Sequence, residues 1–200
     1  TFTVSDNTGT LSVKSSDESV ATVTLSGTTV TITGKNVGSA TITVTSAAST
    51  NYNAISKTYA VTVAQANGKV TLSSTSGTIK YNGTMTISVT GNTSGGALSV
   101  TSSNESVATA RISGTSIIMT GTGVGSSTIT VTSAATTNYK AASTTYTLTV
   151  NAADGLLSLT AISGTVEYGK QTTFNIFENV SNGTLSVKSS NESVATATLS

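Results

Sequence analysis

The chain has 200 residues, a formal net charge of +1 and 8% charged residues, with no Cys, His, Trp or Pro. Lacking Cys it has no disulfide or thiolate chemistry, and lacking His it loses the usual general base and the commonest neutral metal ligand. No basic stripe is available to neutralise phosphates, so nucleic acid is not an expected partner, and no run of roughly 18 apolar residues is present to insert into a membrane as a helix.

Thr and Ser alternate with aliphatic residues through most of the sequence, which suits pleated, half-buried strands. The first predicted strands are Thr10–Ser15, Ala21–Leu25, Thr28–Thr33, Ala40–Thr45 and Thr58–Val63. In Thr41-Ile42-Thr43-Val44-Thr45 the strict alternation aims Ile42 and Val44 at a core and the threonines at solvent. Ser26-Gly27 between two such runs reads as a tight hairpin turn. Next come Val70–Ser73, Thr78–Tyr81 and Thr84–Thr90, with Asn82-Gly83 as a turn signal because both residues tolerate positive φ. The series continues with Leu98–Ser102, Ala108–Ile112, Ser116–Thr120, Ser127–Thr132 and Thr144–Val150. The core is expected to hold Leu72, Ile79, Ile87, Val89, Leu98, Val100, Val107, Ile117, Met119, Val124, Ile129, Val131, Tyr146, Leu148 and Val150.

The segments repeat. Ser19, Ser106 and Ser193 each begin the word Ser-Val-Ala-Thr, at intervals of 87 residues (106 − 19 and 193 − 106). A fixed period of this kind marks a tandem array of one module. Residues 1–65 carry the later strands of a repeat, 66–152 a complete repeat, and 153–200 the opening strands of another. Short strands with turns every eight to twelve residues or so predict an antiparallel β-sandwich. The array is expected to continue beyond both ends, with any attachment signal outside this stretch. Exchange of strands between chains fits poorly, because residues 153–200 overlap what residues 1–26 already supply. The junction words Val63-Ala64-Gln65-Ala66-Asn67-Gly68 and Val150-Asn151-Ala152-Ala153-Asp154-Gly155 are short and carry no Ser/Gly-rich run, which predicts limited hinge freedom.

The run S-S-N-E-S-V-A-T, a short hairpin, then T-G-T-G-V-G-S-S-T-I-T-V-T-S resembles the signature of bacterial immunoglobulin-like domains of group 2, found in invasin- and intimin-like adhesins, other surface proteins and phage virion proteins. The resemblance implies tandem immunoglobulin-like sandwiches, with Val107–Thr109 and Gly121–Val131 as core elements. It also implies a spacer or display scaffold at the bacterial cell surface, or alternatively on a phage virion. Gly125 and Gly38 are placed where a left-handed or bulged backbone precedes a strand, and Val124 and Val37 are expected to plug the sandwich end. The segment Ser133 to Ser143 is longer than the family pattern needs.

That segment contains Asn138-Tyr139, matched in the first repeat by Asn51-Tyr52. One reading makes these loops ligand contacts for glycans, since an aromatic ring beside an amide suits stacking and hydrogen bonding. The other, which the residues favour, has the Tyr closing the sandwich end and the Asn capping the turn. Glu18, Glu105 and Glu192 recur, but one recurrent acid per repeat is too few for calcium; a solvated or turn-capping role is expected. No catalytic residue, cofactor site or metal site is proposed, since no recurrent Lys or acid pair is available to activate the abundant hydroxyls. The expected role is a non-catalytic stalk or spacer. The rivals are an adhesive or glycan-binding module and a self-assembling extracellular fibre subunit. Expected partners are neighbouring repeats of the same chain, then host or cell-wall glycans or a surface protein, and further copies through free sheet edges.

Overall fold

The computed structural model describes all 200 residues, and they form strands and connecting turns without a helix. The chain divides into two units, Thr1–Asn151 and Ala152–Ser200.

Within the first unit, residues 1–65 contribute β1 (Phe2–Thr3), β2 (Leu11–Ser15), β3 (Ala21–Ser26), β4 (Thr29–Gly34), β5 (Gly38–Ser46) and β6 (Ile55–Val63). They form two three-stranded sheets, β1-β4-β3 and β2-β5-β6. Residues 66–151 add β7 (Val70–Leu72), β8 (Ser76–Lys80), β9 (Thr84–Asn92), β10 (Leu98–Ser102), β11 (Ala108–Ser113), β12 (Ser116–Gly121), β13 (Gly125–Ser133) and β14 (Ala142–Asn151). These build the sheets β10-β13-β14-β8 and β11-β12-β9-β7. Strands β2, β3 and β5 return as β10, β11 and β13 with both ends displaced by 87 residues (98 − 11, 108 − 21 and 125 − 38 at their starts).

The turns follow from glycine chemistry. Ser26 pairs with Thr29 and Ser113 with Ser116, leaving two-residue loops that begin with Gly27 at φ 58° and Gly114 at φ 60°. A left-handed first position lets the turn follow the strand twist. Asn82 likewise takes φ 61°, and Gly83 N–H donates to the Lys80 carbonyl (2.8 Å). This turn is not a hairpin, however. It carries the chain from β8 in one sheet to β9 in the other. Strand β8 pairs parallel with β14, so one pair in an otherwise antiparallel sandwich departs from the expected pattern.

The core of the second repeat draws on both sheets. Ile87, Val89, Ala108, Ile117 and Met119 come from one, and Ile129, Val131, Tyr146, Leu148 and Val150 from the other. Alternation explains the selection, because every second residue of β13 and β14 faces inward. Val70 and Ala108 join this core in addition to the expected residues. Val124 does not. It is 64% exposed, because the Thr122 and Gly123 amides bond the Val107 carbonyl and the Val107 side chain packs on the core in its place. Val37 is half-buried for a reason given below, and Val44 is half-buried where Ile42 is fully buried.

The second unit contains one antiparallel pair, β15 (Leu157–Leu159) and β16 (Ile176–Asn179). Its register, Leu157 with Asn179 followed by an irregularity, repeats that of Val70 with Asn92. Residues 163–167, 185–189 and 195–200, at the repeat positions of β8, β10 and β11, form no strand. Phe174, at the repeat position of Ile87, is accordingly 53% exposed, against 7% for Ile87.

Candidate functional site

Chemistry-bearing residues do not converge. No three of Asp, Glu, His and Cys come close enough together to hold a metal ion. The recurrent acids Glu18, Glu105 and Glu192 are exposed. The capping role falls on the preceding residue. Asp17 Oδ1 accepts from Ser19 N–H (2.9 Å) and Ser19 Oγ–H (2.6 Å). Asn104 Oδ1 does the same for Ser106 (3.1 and 2.6 Å), and Asn191 for Ser193 (3.0 and 2.6 Å). These are Asx turns that lead into the next strand. The Ser19 hydroxyl and then its amide hold the Asp17 carboxyl below the usual aspartate range, since both bonds favour the charged form.

A second set of polar groups lies inside the sandwich. Ser133 is fully buried, and its Oγ lies 2.6 Å from Ser94 Oγ and donates to Asn92 Oδ1 (2.8 Å). Ser127, also buried, lies 2.8 Å from Ser102 Oγ and accepts from the Asn104 amide (3.1 Å). No buried side-chain polar atom is left without a partner. Such closed clusters tie loops to strands and satisfy the desolvation requirement of buried hydroxyls.

The four loop residues divide into a joined pair and a free pair. Asn138 reaches the first repeat: its Oδ1 accepts from Val37 N–H (2.9 Å) and its Nδ2 donates to Asn36 Oδ1 (2.8 Å). The backbone beside it grips the junction. Ala66 N–H donates to the Asn138 carbonyl and Lys140 N–H to the Ala66 carbonyl (both 2.9 Å), which sets Ala66 parallel to Tyr139. Gln65 Nε2 adds a bond to the Thr136 carbonyl (2.8 Å). The long segment from Ser133 to Ser143 is therefore a joint between the two repeats, and Val37 is half-buried beneath it. Asn51 and Tyr52 lie in a loop that keeps one backbone bond of this segment and adds the reverse one, Tyr52 N–H to the Ser49 carbonyl (3.3 Å). Ser49 N–H donates to the Tyr52 carbonyl (2.9 Å), as Thr136 N–H does to that of Tyr139 (2.9 Å). Asn51 is exposed and Tyr52 is 60% exposed, where Tyr139 is half-buried.

Asn36 and Gln65 were not signalled by the repeat pattern. Their repeat positions hold Gly123 and Ala152, so they stand out only as departures from the period.

One open cleft, about 350 Å³, lies on the first repeat between Phe2, Val4, Leu11, Val44, Ile55 and Tyr59. Its lining corresponds to the core of the second repeat. Tyr59 is 51% exposed, whereas its counterpart Tyr146 is 1% exposed. There Gly77 of β8 lies against the Tyr146 hydroxyl, which donates to Met85 Sδ (2.9 Å). The cleft is thus an uncovered stretch of sandwich core rather than a pocket with convergent polar groups.

No family model and no curated protein sequence matches the chain. Among solved structures it is similar to the S-layer protein rSbsC(31-844), at 23% identity over 74% of this chain and 21% of that one, with a TM-score of 0.38. It is also similar to domains 4 and 5 of S-layer protein SbsC, at 22% identity over 71% and 70% of the two chains, with a TM-score of 0.37. An endo-fucoidan hydrolase of glycoside hydrolase family 107 matches at 16% identity over 73% of this chain and 24% of its own, with a TM-score of 0.32. The chain thus spans about a fifth of the length of the first of these proteins. None of the three superpositions is close enough to carry an argument about function.

Proposed function

We propose that this chain is a non-catalytic spacer: a run of sandwiches of the group 2 bacterial immunoglobulin-like kind, in the stalk of a bacterial cell-surface protein. The observation that carries this reading is the joint. Two repeats with the same strand framework are fastened by side-chain and backbone bonds across a junction of a few residues. A repeat that contacts only its sequence neighbours adds length to an array, and a fastened junction resists bending. The surface location follows the family resemblance, as does the phage virion as an alternative setting.

Small-angle scattering of the 200-residue chain tests the reading. An elongated particle is expected. A globular particle would overturn it.

A second reading, a subunit that self-associates into a fibre, is favoured by one feature. In the complete second repeat, strands β10 and β11 each have a partner on one side only. An unpaired edge is a template for strand addition. Sedimentation at increasing concentration separates the two: a constant monomer supports the spacer, and growing species support the fibre. The glycan-binding reading of Asn51 and Tyr52 requires that Tyr52→Ala abolish glycan retention while leaving the fold intact.

A further inference from the structure

We propose that the Asn-Tyr loop is a clasp that sets the angle between consecutive repeats, and that Asn51–Tyr52 and Val124 are the two open halves of the same clasp. Each is shaped to take another repeat of this sequence. The inference rests on the spacer reading and names the surface through which spacing is enforced.

Three observations carry it. First, the closed clasp is a small set of groups with a definite partner: Asn138 on the turn at Asn36–Val37, flanked by Ala66 and Gln65 of the junction. Both ends of the Asn138 amide are used, so its orientation is fixed from two sides.

Second, the free loop is preformed. The bond pair between Ser49 and Tyr52 (2.9 and 3.3 Å) holds the turn at Asn51 without any neighbour. A loop already held in a turn loses less freedom on closure, and docking exchanges the bond from Tyr52 N–H, which has no counterpart at Tyr139, for a bridge like that of Tyr139 to Ala66.

Third, the free socket is equally ready. The turn before β13 is fastened by Thr122 and Gly123 amides to the Val107 carbonyl (2.9 and 3.1 Å), as Lys35 and Asn36 amides fasten its counterpart to Val20 (2.8 and 3.3 Å). Val37 in the occupied turn is half-buried, and Val124 in the open one is 64% exposed.

The occupant is therefore a repeat of the same kind, presenting an Asn-Tyr loop to Val124 or a Val-Gly turn to Asn51. The two joints are not equal. Gly123 replaces Asn36 and Ala152 replaces Gln65, so a clasp at Val124 keeps the backbone bonds and loses two side-chain ones. The joint at Val124 would be the looser of the two.

The absence of Cys makes the test direct. Spin labels at Thr24→Cys and Thr109→Cys, both exposed, report the distance between the two repeats by double electron–electron resonance. The parent chain should give one narrow distribution and Asn138→Ala a broad one. The Val37 amide should exchange with solvent about tenfold faster in that variant, the value of one hydrogen bond, while core amides of β13 keep their protection. Asn51→Ala should change neither readout. An unchanged distribution and unchanged Val37 exchange in Asn138→Ala would overturn the clasp. A broad distribution already in the parent would overturn the stiff spacer, while Val37 exchange still decides the clasp.

For the open half, a copy of residues 114–152 is appended after Ser200, which supplies the strands and the Asn-Tyr loop that follow Ser113 in the second repeat. Slower exchange at Val124, restored by Asn138→Ala in the appended copy, is expected. Exchange at Val124 that ignores the added loop would refute the recurrence.

Discussion

Asp17 shows how little separates a charged turn from a neutral one. Its carboxylate makes the bonds that Asn104 and Asn191 make with an amide oxygen. Its pKa is lowered in the folded chain, so its contribution is fully present above the unfolded aspartate value of about 3.9 and is lost as pH falls through the lower folded value. Asp17→Asn should therefore leave neutral-pH stability nearly unchanged and flatten the loss of stability below about pH 4, as read by thermal melts across pH. Buried hydroxyls are less forgiving. Ser133→Ala removes the partner shared by Ser94 and Asn92 and should cost about 1–3 kcal/mol by urea denaturation. A cost near zero would mean that the existing bond from the Ser94 hydroxyl to Asn92 Oδ1 (2.9 Å), with water, satisfies both groups.

At the scale of the strand, the second repeat depends on β8 lying flat against β14. Gly77 permits this, because a Cβ there would fall on the Tyr146 hydroxyl and lie 2.8 Å from Met85 Sδ. Gly77→Val should therefore push β8 off its parallel partner and destabilise the repeat by about 1–3 kcal/mol. Amide exchange would accelerate along Ser76–Lys80 before other strands. The parallel pairing was not legible from the sequence, since Gly77-Thr78-Ile79 reads the same whichever direction its partner runs. The identity of β13 was legible, because Thr-Ile-Thr-Val-Thr alternates without interruption and each aliphatic residue needs the same covered face.

At the scale of the whole 200-residue chain, its three segments differ in how much apolar surface they cover. Tyr59 and Ile55 remain more than half exposed in the first repeat, and Ile162, Tyr168 and Phe177 are largely exposed in residues 152–200, whereas Tyr146, Ile129 and Leu148 are buried in the second repeat. Burying an aliphatic or aromatic side chain contributes roughly 1.5–3 kcal/mol, and local stability follows such burial. Hydrogen exchange should rank the amides accordingly, with β13 and β14 slowest, β5 and β6 faster, and β15 and β16 fastest. Uniform protection along the chain would contradict a stability organised repeat by repeat.

The period, the strand positions and most of the second repeat's core could be read from the amino acids alone, because each depends on a local pattern: alternation, a glycine in a two-residue loop, a recurring word. Three features depended on tertiary structure. Val124 is aliphatic and flanked by glycines, so its sequence suits a plug, yet Val107 fills that place and leaves it exposed. Ser133 continues an alternating strand, and only the arrival of Asn92 and Ser94 from distant positions makes it a buried anchor. Asn138 was recognisable as a recurrent loop residue, but its partners, Asn36 and Val37, lie about a hundred positions away in another repeat. A motif states which bonds a side chain can make; which partner it meets is decided by how the sandwiches are placed.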